Sequence, residues 1–386
     1  FMPTMMSDIK AADPSSDITL ISPPEASQKG SANISYPIKI PAGRKGMQPN
    51  ITLQYSNDGS NGWLGQGWNL NIPAITLDTR WGFPAFDAEF ETEMYQLNGE
   101  QLMYPKLNKE DWMPNRHFTV DSTKYSTLQR KRITNAAFFP RKQGSFAKIE
   151  RLGTNPTNYY WKVTETNGTT HWYGRGPKET MSQITTDTTA YIKNTKNNIV
   201  HWALYMSMDV YGNYVKYEYQ QGKIENLEKT DPNYNLSEGI YFYPKSITYT
   251  GKRDASGTLT AGTYKVSFTN QTKIKSDVTL NGRLGLKQVD PYLLSSILIT
   301  YSGQGSQRKY LLNYKKSGTL NNGVGAGRFG KNLLEQIVEQ TKRSNSDVLE
   351  DFYSHKFEYY DDVLTQDGKV KYFSDAVTTK ICNTPL

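Results

Sequence analysis

The sequence contains very few of the side chains that bind metals or form cross-links. There is one cysteine, Cys382, in 386 residues, which excludes an internal disulfide and a cysteine-rich metal site. The histidines number only four, lie far apart, and are not at the spacing of zinc ligands: His117, His171, His201 and His355. We therefore expect no metal centre of these kinds and no cofactor.

Long apolar runs are missing too. No stretch approaches the length needed to cross a bilayer, so no membrane span is predicted. The first six residues lack the basic and apolar regions of a signal peptide, so export would use either a leader that has been removed or another route. A Gly-x-Ser-x-Gly elbow is also absent, and a nucleophilic hydrolase has little support.

The charge is mixed along the whole chain. The net charge of +8 arises from 45 basic and 37 acidic residues that are scattered throughout. Basic clusters at residues 130–132 and 141–142 are accompanied by no Lys/Arg-rich helix and no aromatic RNA-binding signature. We expect a solvated surface rather than a nucleic-acid partner.

Tyrosine is abundant. The 27 tyrosines, with much Thr, Asn and Gly and little Ala, favour strands and turns over helices. A hydrophobic fraction of 36% is enough for a globular interior. The sequence predicts an all-β fold of antiparallel, meandering strands with few or no helices.

Residues 34–84 form the most structured stretch of the sequence. Apolar residues alternate at 36–40 and again at 51–55, which predicts two half-buried strands joined by a turn at 41–49. Glycines at 59–67 permit unusual backbone conformations, while Trp63 and Trp68 supply apolar surface to hold the loop down.

Two hairpins are expected downstream. Residues 159–173 are rich in aromatic and β-branched side chains around Asn167-Gly168, the favoured two-residue turn, so aromatic side chains should pair across the strands. Residues 209–219 read as a strand, a Gly-Asn turn and a strand. Residues 333–342 suit a helix or a strand, and both remain open.

The ordered series of motifs resembles the SpvB/TcaC family, the N-terminal domain of bacterial virulence proteins and toxin-complex B components. The opening turn and the Gly-x-Gly-Trp element carry the resemblance, through Pro41, Gly43, Arg44, Gly46, Pro49, Gly65, Gly67 and Trp68. The second hairpin resembles a YD repeat of Rhs-type proteins, through Asp209, Gly212, Asn213, Tyr217 and Tyr219. The resemblance implies a structural role for these residues.

The resemblance also implies an organisation and partners. It implies an extended segment at 1–30, a β-rich domain at 31–365, and a segment at 366–386 leading to a downstream module. In the family, such a module is part of an Rhs/YD-type β-shell, often with a β-propeller, that encloses a C-terminal effector. The expected partners are therefore downstream YD-repeat or β-propeller segments, or toxin-complex subunits, of a secreted bacterial protein.

An acidic segment precedes the first predicted hairpin. Asp87, Glu89, Glu91 and Glu93 alternate, which would give a strand one acidic face. A solvated edge, or pairing with residues 130–132, is preferred to a bound cation because the spacing matches no calcium loop.

Two catalytic patterns are interpreted as accidental. The Gly-x-x-x-x-Gly-Lys match at 325–331 is followed by Asn332 instead of Ser or Thr, and it lacks a βαβ setting. Some relatives of the family end in an ADP-ribosyltransferase, but the Glu-x-Glu patterns at 89–93 come early and follow no Ser-Thr-Ser strand. The sequence therefore predicts no enzyme in these residues.

The leading hypothesis is a non-enzymatic scaffold that contributes strands to a shell enclosing or presenting an effector. The alternative is a surface module that binds glycans or a host protein through exposed aromatics, with Trp63 and Trp81 as candidates. The position of Arg44 bears on the choice: burial would favour structure, and exposure beside Trp63 would favour binding.

Overall fold

A computed structural model of the chain describes residues 21, 25–26, 31–80, 82–103, 131–142, 144, 146–185, 189–225, 227–231, 233–316, 330–342 and 348–359. Within these residues the regular structure is strand, apart from two short 3₁₀ turns at Arg44–Gly46 and Tyr234–Leu236. The prediction of an all-β fold with few or no helices is confirmed. No helix in these ranges is long and apolar enough to cross a membrane.

The N-terminal part contributes six short strands. They are β1 Glu25–Ala26, β2 Ala32–Pro37, β3 Thr52–Ser56, β4 Asn61–Gly62, β5 Gly65–Gln66 and β6 Trp68–Leu70. β1, β2, β3 and β6 form an antiparallel sheet in that order, while β4 and β5 form a ribbon. Tyr36 of β2 pairs with Leu53 of β3, and both are fully buried. The strand predicted at 51–55 is confirmed, whereas the first strand lies earlier than predicted, since β2 ends at Pro37 and Ile38 and Ile40 lie beyond it.

Eight of the next nine strands close into a barrel. The nine are β7 Ala74–Leu77, β8 Tyr95–Leu97, β9 Glu100–Met103, β10 Ala136–Pro140, β11 Lys148–Leu152, β12 Tyr160–Thr164, β13 Thr170–Tyr173, β14 Tyr191–Lys193 and β15 Ile199–Met208. Strands β7 to β13 pair in sequence, and β15 pairs with both β13 and β7. Strand β14 pairs with β15 outside this ring. Tyr95, Trp161 and Trp202 fill the interior.

An open antiparallel meander continues from the barrel. Its strands are β16 Asn213–Lys223, β17 Ile240–Arg253, β18 Leu259–Thr260, β19 Tyr264–Asn270, β20 Thr279–Asn281, β21 Gln288–Asp290, β22 Leu294–Tyr301, β23 Gly305–Lys316, β24 Asn332–Lys342 and β25 Leu349–Lys356. The main sheet has the order β15, β16, β17, β19, β22, β23, β24, β25. A single parallel bridge joins Ile240 to Gln288. Strand β15 therefore belongs to both the barrel and the meander.

A second core lies between the N-terminal sheet and the meander. Tyr36, Leu53 and Trp68 from the N-terminal sheet pack with Ile297 and Ile337 from the meander. All five are at most 2% exposed. Because this core joins residues far apart in sequence, the N-terminal sheet is part of the same packed unit as the meander.

The register resolves two local predictions. Strands β12 and β13 form the hairpin expected at 159–173, and Trp161 lies opposite Tyr173, so the predicted aromatic pairing is confirmed. Residues 333–342 lie in β24 and are strand. Leu333, Leu334 and Ile337 are all buried, a spacing that also suits one face of a helix, which explains why periodicity alone left the type open.

The turn of that hairpin is longer than predicted. The last paired residues are Thr164 and Thr170, and the amide of Gly168 donates to the carbonyl of Glu165 at 2.9 Å. Gly168 has φ +83°, so it takes the left-handed position that follows a tight turn and forms a bulge. The prediction of a two-residue turn at Asn167-Gly168 is wrong.

The division at residues 30 and 365 stays a prediction. Most of residues 1–30 and all of residues 366–386 lie outside the described ranges.

Candidate functional site

The opening turn at residues 41–49 is held by hydrogen bonds at both ends. The hydroxyl of Tyr249 donates to the carbonyl of Pro41 at 3.0 Å. The amide of Gly43 donates to Oε1 of Gln48 at 2.7 Å. The turn is therefore anchored to β17 and closed on itself.

The tip of this turn faces outward. Arg44 and Lys45 are exposed, while Pro49 returns the chain to the buried interior. Lys45 has φ +51° and Gly46 has φ +78°, which reverses the chain direction. Arg44 is therefore not a buried structural anchor. Its neighbour Lys45 instead contacts the second hairpin, with Nζ 3.4 Å from the centroid of the Tyr211 ring.

The Gly-x-Gly-Trp element packs against the end of the meander. A Cβ atom on Gly65 would lie 2.6 Å from the carbonyl oxygen of Asn332, and Gly65 has φ +83°, so any side chain would collide with backbone. Gly67 lies against the ring of Tyr55. Trp68 is 2% exposed, and its indole nitrogen donates to the hydroxyl of Tyr359 at 2.8 Å. This element joins the N-terminal sheet to β24 and the residues after β25.

Trp63 is engaged inside the fold. Its indole nitrogen donates to Oδ1 of Asn270 at 2.7 Å, and its ring stacks on Tyr243 at 5.2 Å. It is half-buried and packs on the second core. The expectation of an exposed Trp63 is therefore wrong, because the loop glycines let its ring fold back on the meander. Trp81 lies outside the described residues.

A buried lysine, which the sequence analysis missed, fastens the same loop. Nζ of Lys275 donates to the carbonyl of Gly62 at 2.7 Å and to Oδ2 of Asp290 at 3.0 Å. The side chain of Lys275 is 1% exposed. No local pattern marks Lys275, because its partners are distant in sequence.

The YD-like hairpin has a turn capped by its aspartate. The amide of Asp209 donates to the carbonyl of Asn213 at 3.0 Å, and the amide of Gly212 donates to the carbonyl of Asp209 at 3.1 Å. The Asp209 carboxylate accepts from the backbone and the side chain of Asn213. Tyr219 donates to a carbonyl of β15, while Tyr217 packs against three apolar clusters. Asp209, Gly212 and Asn213 therefore fix the conformation of the turn, and Tyr217 and Tyr219 pack the hairpin against the rest of the fold.

The backbone hydrogen bonds of this turn recur three times among the described residues. At 165–169, 194–198 and 254–258 the first amide donates to the fifth carbonyl, and the fourth amide donates to the first carbonyl. The side chains of Asn194 and Asp254 accept from the amide four residues on, as Asp209 does. The turn at 254–258 keeps the Asp-x-x-Gly pattern, as Asp254 and Gly257, and could have been predicted from the sequence. The turn at 194–198 has Asn194 in place of the Asp and Asn197 in place of the Gly.

The acidic segment forms a buried ion-pair cluster. Oε1 of Glu91 lies 2.6 Å from Nη1 of Arg151, and Oε1 of Glu93 lies 2.9 Å from Nη2 of Arg132. Both carboxylate side chains are fully buried. The prediction of a solvated acidic strand is wrong for Glu91 and Glu93, while the pairing expected with residues 130–132 is confirmed at Arg132. The two guanidinium groups supply the positive charge that burial of the carboxylates requires.

The electrostatics of this cluster make Glu93 harder to ionise than a solvated glutamate. Burial, followed by the charge of Glu91, raises the pKa of Glu93 to about 7 against the opposing effect of Arg132. The partner Arg151, which the sequence analysis missed, occupies an inward position of β11 two residues after the buried Ile149. The alternation of buried positions along β11 was the sequence signal from which the burial of Arg151 could have been predicted.

The described histidines are packing or hydrogen-bonding residues. Nδ1 of His171 lies 2.7 Å from Oγ of Ser207, and the ring of His201 packs on Phe242 at 5.2 Å. Burial lowers the pKa of His201 to about 4. Among the described residues no three His, Cys, Asp or Glu side chains form a group that could hold a metal ion. His117, Cys382 and residues 325–329 lie outside those ranges.

Strand β25 forms one edge of the main sheet. It pairs with β24, and no residue register among the described strands involves its other edge. The Phe357 amide donates to Glu335 of β24, and His355 lies opposite Ile337. Because backbone groups alternate in direction along a strand, the amide and carbonyl groups of Ser354 point away from β24.

The family can be assigned from a match over most of the fold. The SpvB family, described as Salmonella virulence plasmid 65kDa B protein, matches residues 26–275, which include the opening turn, the Gly-x-Gly-Trp element and the YD-like hairpin. The chain belongs to the SpvB family. The predicted resemblance is confirmed.

SpvB relatives have low sequence identity to this chain. The mono(ADP-ribosyl)transferase SpvB proteins of Salmonella choleraesuis (strain SC-B67) and Salmonella dublin are each 24% identical to it over 232 residues. The match covers 57% of this chain and 36% of each relative. The chain therefore spans about a third of the length of these SpvB relatives.

Solved structures share the fold. The crystal structure of TcdB2-TccC3 has a TM-score of 0.60 at 18% identity and covers 91% of this chain and 16% of that one. The N-terminal domain of effector protein SpvB from Salmonella typhimurium strain LT2 has a TM-score of 0.53 at 16% identity, covering 70% of this chain and 91% of that one. At these identities the similarity shows the SpvB fold alone.

Proposed function

We propose that the chain is a non-enzymatic structural module of a secreted bacterial toxin-like protein. It contributes strands to a β-shell that encloses or presents another segment. The observation that carries the proposal is the outer edge of β25 at the end of the meander, with which no strand of the described residues pairs. The occupant is the next strand of the same larger shell.

The packing of the family motifs supports a structural role. The opening turn, the Gly-x-Gly-Trp element and the YD-like turn all bind other parts of the fold through Tyr249, Tyr359 and Lys45. The proposal that the chain is part of a larger β-shell is also supported by the fold that it shares with TcdB2-TccC3, of which this chain covers 16%.

The location of the acids supports a role without catalysis. Glu91 and Glu93, the second glutamates of the two Glu-x-Glu patterns, are buried and paired with arginines. A carboxylate in that state has no access to a substrate. We expect the purified chain to release no nicotinamide from NAD⁺, and release that is lost on Glu91→Gln would contradict the proposal.

The edge itself is tested with a backbone block. Ser354→Pro removes an amide that points away from β24 and leaves the β24–β25 ladder intact. We expect the isolated chain to self-associate in sedimentation velocity through its open edge, with Ser354→Pro monomeric and Ser354→Ala unchanged. If Ser354→Pro melts early, Ser354→Lys provides a charged edge instead. A monodisperse wild-type monomer that melts cooperatively would instead indicate a self-sufficient domain.

A second candidate function is glycan binding, as predicted for Trp63 and Trp81. The engagement of Trp63 counts against it, but one groove of about 520 Å³ favours it. The exposed side chains lining this groove are amides and hydroxyls, with Asn33, Gln54 and Asn69 among them, which suit neutral sugar hydroxyls. A glycan-array screen tests it: binding that is lost in Gln54→Ala or Trp81→Ala without loss of folding would support this candidate.

A further inference from the structure

Arg175 lies on a segment whose backbone is fixed by close packing. A Cβ on Gly174 would lie 2.5 Å from the ring of Trp202, and one on Gly176 would lie 2.6 Å from the ring of Tyr205. Both flanking residues therefore lie flat on aromatic rings. Arg175 is the one side chain that this three-residue segment projects, and its starting point is held in place.

Two cations meet at the ring of Tyr191. Nη2 of Arg175 donates to the Tyr191 hydroxyl at 3.0 Å, and its guanidinium carbon lies 5.1 Å from the ring centroid. Nζ of Lys193 lies 5.9 Å from the same centroid and donates to Oδ1 of Asn197 at 2.8 Å. Tyr191 is 2% exposed, so its ring is a fixed point of contact for both charged groups.

The positive charge at this ring has no carboxylate partner. In the part of the chain that the structure describes, no Asp or Glu forms an ion pair with Arg175 or Lys193, whereas Arg132 and Arg151 are both paired. Nε of Arg175 is buried and has no acceptor, which is a costly arrangement for a charged group. Partial burial, followed by the charge of Arg175, lowers the pKa of Lys193. The site therefore has two like charges and too few acceptors.

We propose that Arg175 and Lys193 form a binding site for a phosphate-type oxyanion. A guanidinium fork and an ammonium group are the donors that proteins use for phosphate. A dianion neutralises both charges, whereas a single carboxylate would leave one of them uncompensated. The site lies beside the ring of Tyr191, away from β25, and goes beyond the scaffold function. The phosphate comes either from free inorganic phosphate or from a phosphomonoester group on a larger ligand.

Isothermal titration of the full chain tests the site with inorganic phosphate and, in a second arm, with glycerol phosphate. We expect saturable binding of one anion per chain, competed by sulfate and not by chloride at matched ionic strength. Arg175→Gln and Lys193→Gln should each weaken binding by about tenfold or more, because each removes a charged donor. Tighter binding of glycerol phosphate would identify the larger ligand class.

The control is Lys178→Gln, which removes an exposed lysine three residues from Arg175 that already pairs with Glu179. It should bind phosphate with unchanged affinity. Arg175→Lys keeps the positive charge but lacks the paired donors of the guanidinium group, so it should bind phosphate with an affinity between those of the wild type and Arg175→Gln. Such an intermediate affinity would show that Arg175→Gln loses binding and not folding. Absence of saturable binding to about 20 mM phosphate, or equal affinity in Arg175→Gln and the wild type, overturns the proposal.

Discussion

The ammonium group of Lys45 lies 3.4 Å from the centroid of the Tyr211 ring, so the opening turn and the YD-like turn touch at their tips. These are two of the three motifs on which the sequence resemblance depends. Tyr211 is 58% exposed, which places the contact at the surface. The contact therefore joins the opening turn to the YD-like turn directly.

Disrupting this contact should have a small, coupled effect. In a double-mutant cycle of Lys45→Ala and Tyr211→Ala, we expect a coupling free energy of about 0.5–1 kcal/mol, typical of an exposed cation–π pair. Urea unfolding of the four proteins measures it. Strictly additive changes in the free energy of unfolding would show that the contact contributes nothing.

Gly65→Ala should destabilise the fold far more than Gly46→Ala. Both glycines have positive φ, but Gly46 faces open space whereas a Cβ on Gly65 would lie 2.6 Å from a backbone oxygen. We expect Gly46→Ala to cost about 1 kcal/mol and Gly65→Ala at least about 2 kcal/mol more. Denaturant unfolding compares the two, and equal losses would mean that β5 does not seat against β24 as described.

Arg151→Met should be strongly destabilising. It removes the nearer guanidinium group of the buried Glu91, at 2.6 Å, and leaves that of Arg132 at 3.7 Å, so we expect a loss of about 3 kcal/mol in the free energy of unfolding. The matched control is Lys148→Met in the same strand, because Lys148 pairs with Glu150 at the surface and is 68% exposed. That change should cost at most about 1 kcal/mol. Adding Glu91→Gln to Arg151→Met should recover part of the loss, and failure to recover any would argue against the pair.

Glu93 should make the fold less stable as pH rises from about 4.5 to 7. Its pKa is raised from 4.5 to about 7 in the folded state, so the folded chain binds the proton more tightly than the unfolded chain in this window. The free energy of unfolding therefore falls with rising pH, on the order of 1 to 3 kcal/mol. Glu93→Gln should lack this component.

The difference between wild type and Glu93→Gln isolates the effect from other titrating groups. His201 acts in the opposite direction, because its pKa is lowered to about 4 and stability is lost as pH falls below 6.5. Thermal melts of both proteins at pH 5 and pH 7.5 give the difference. A difference that is the same at both pH values would show that Glu93 does not titrate in this range.

Local patterns predicted the strands well and the ion pairs poorly. The alternation of apolar residues at 51–55 predicted β3, and the YD-like pattern predicted the β15–β16 hairpin. The acidic segment led to a wrong prediction of solvent exposure, because alternating Glu residues are typical of a solvated strand face unless basic partners elsewhere in the chain are known. Arg151 lies 60 residues from Glu91, and no local rule connects them.

Trp63 shows the same limit for a single side chain. A tryptophan in a glycine-rich loop is typical both of a binding surface and of a folded-back anchor. Its partners Asn270 and Tyr243 are about 200 residues away, so only the tertiary packing distinguishes the two roles.

The sequence by itself determined the all-β class, the turn geometry at 209–213 and the family, because each depends on short-range alternation and turn chemistry. The tertiary structure decided that eight strands close into a barrel, that Glu91 and Glu93 are buried, and that β25 is left as an edge. These features depend on which distant strands pair, and strand pairing satisfies backbone groups without leaving a mark on local sequence.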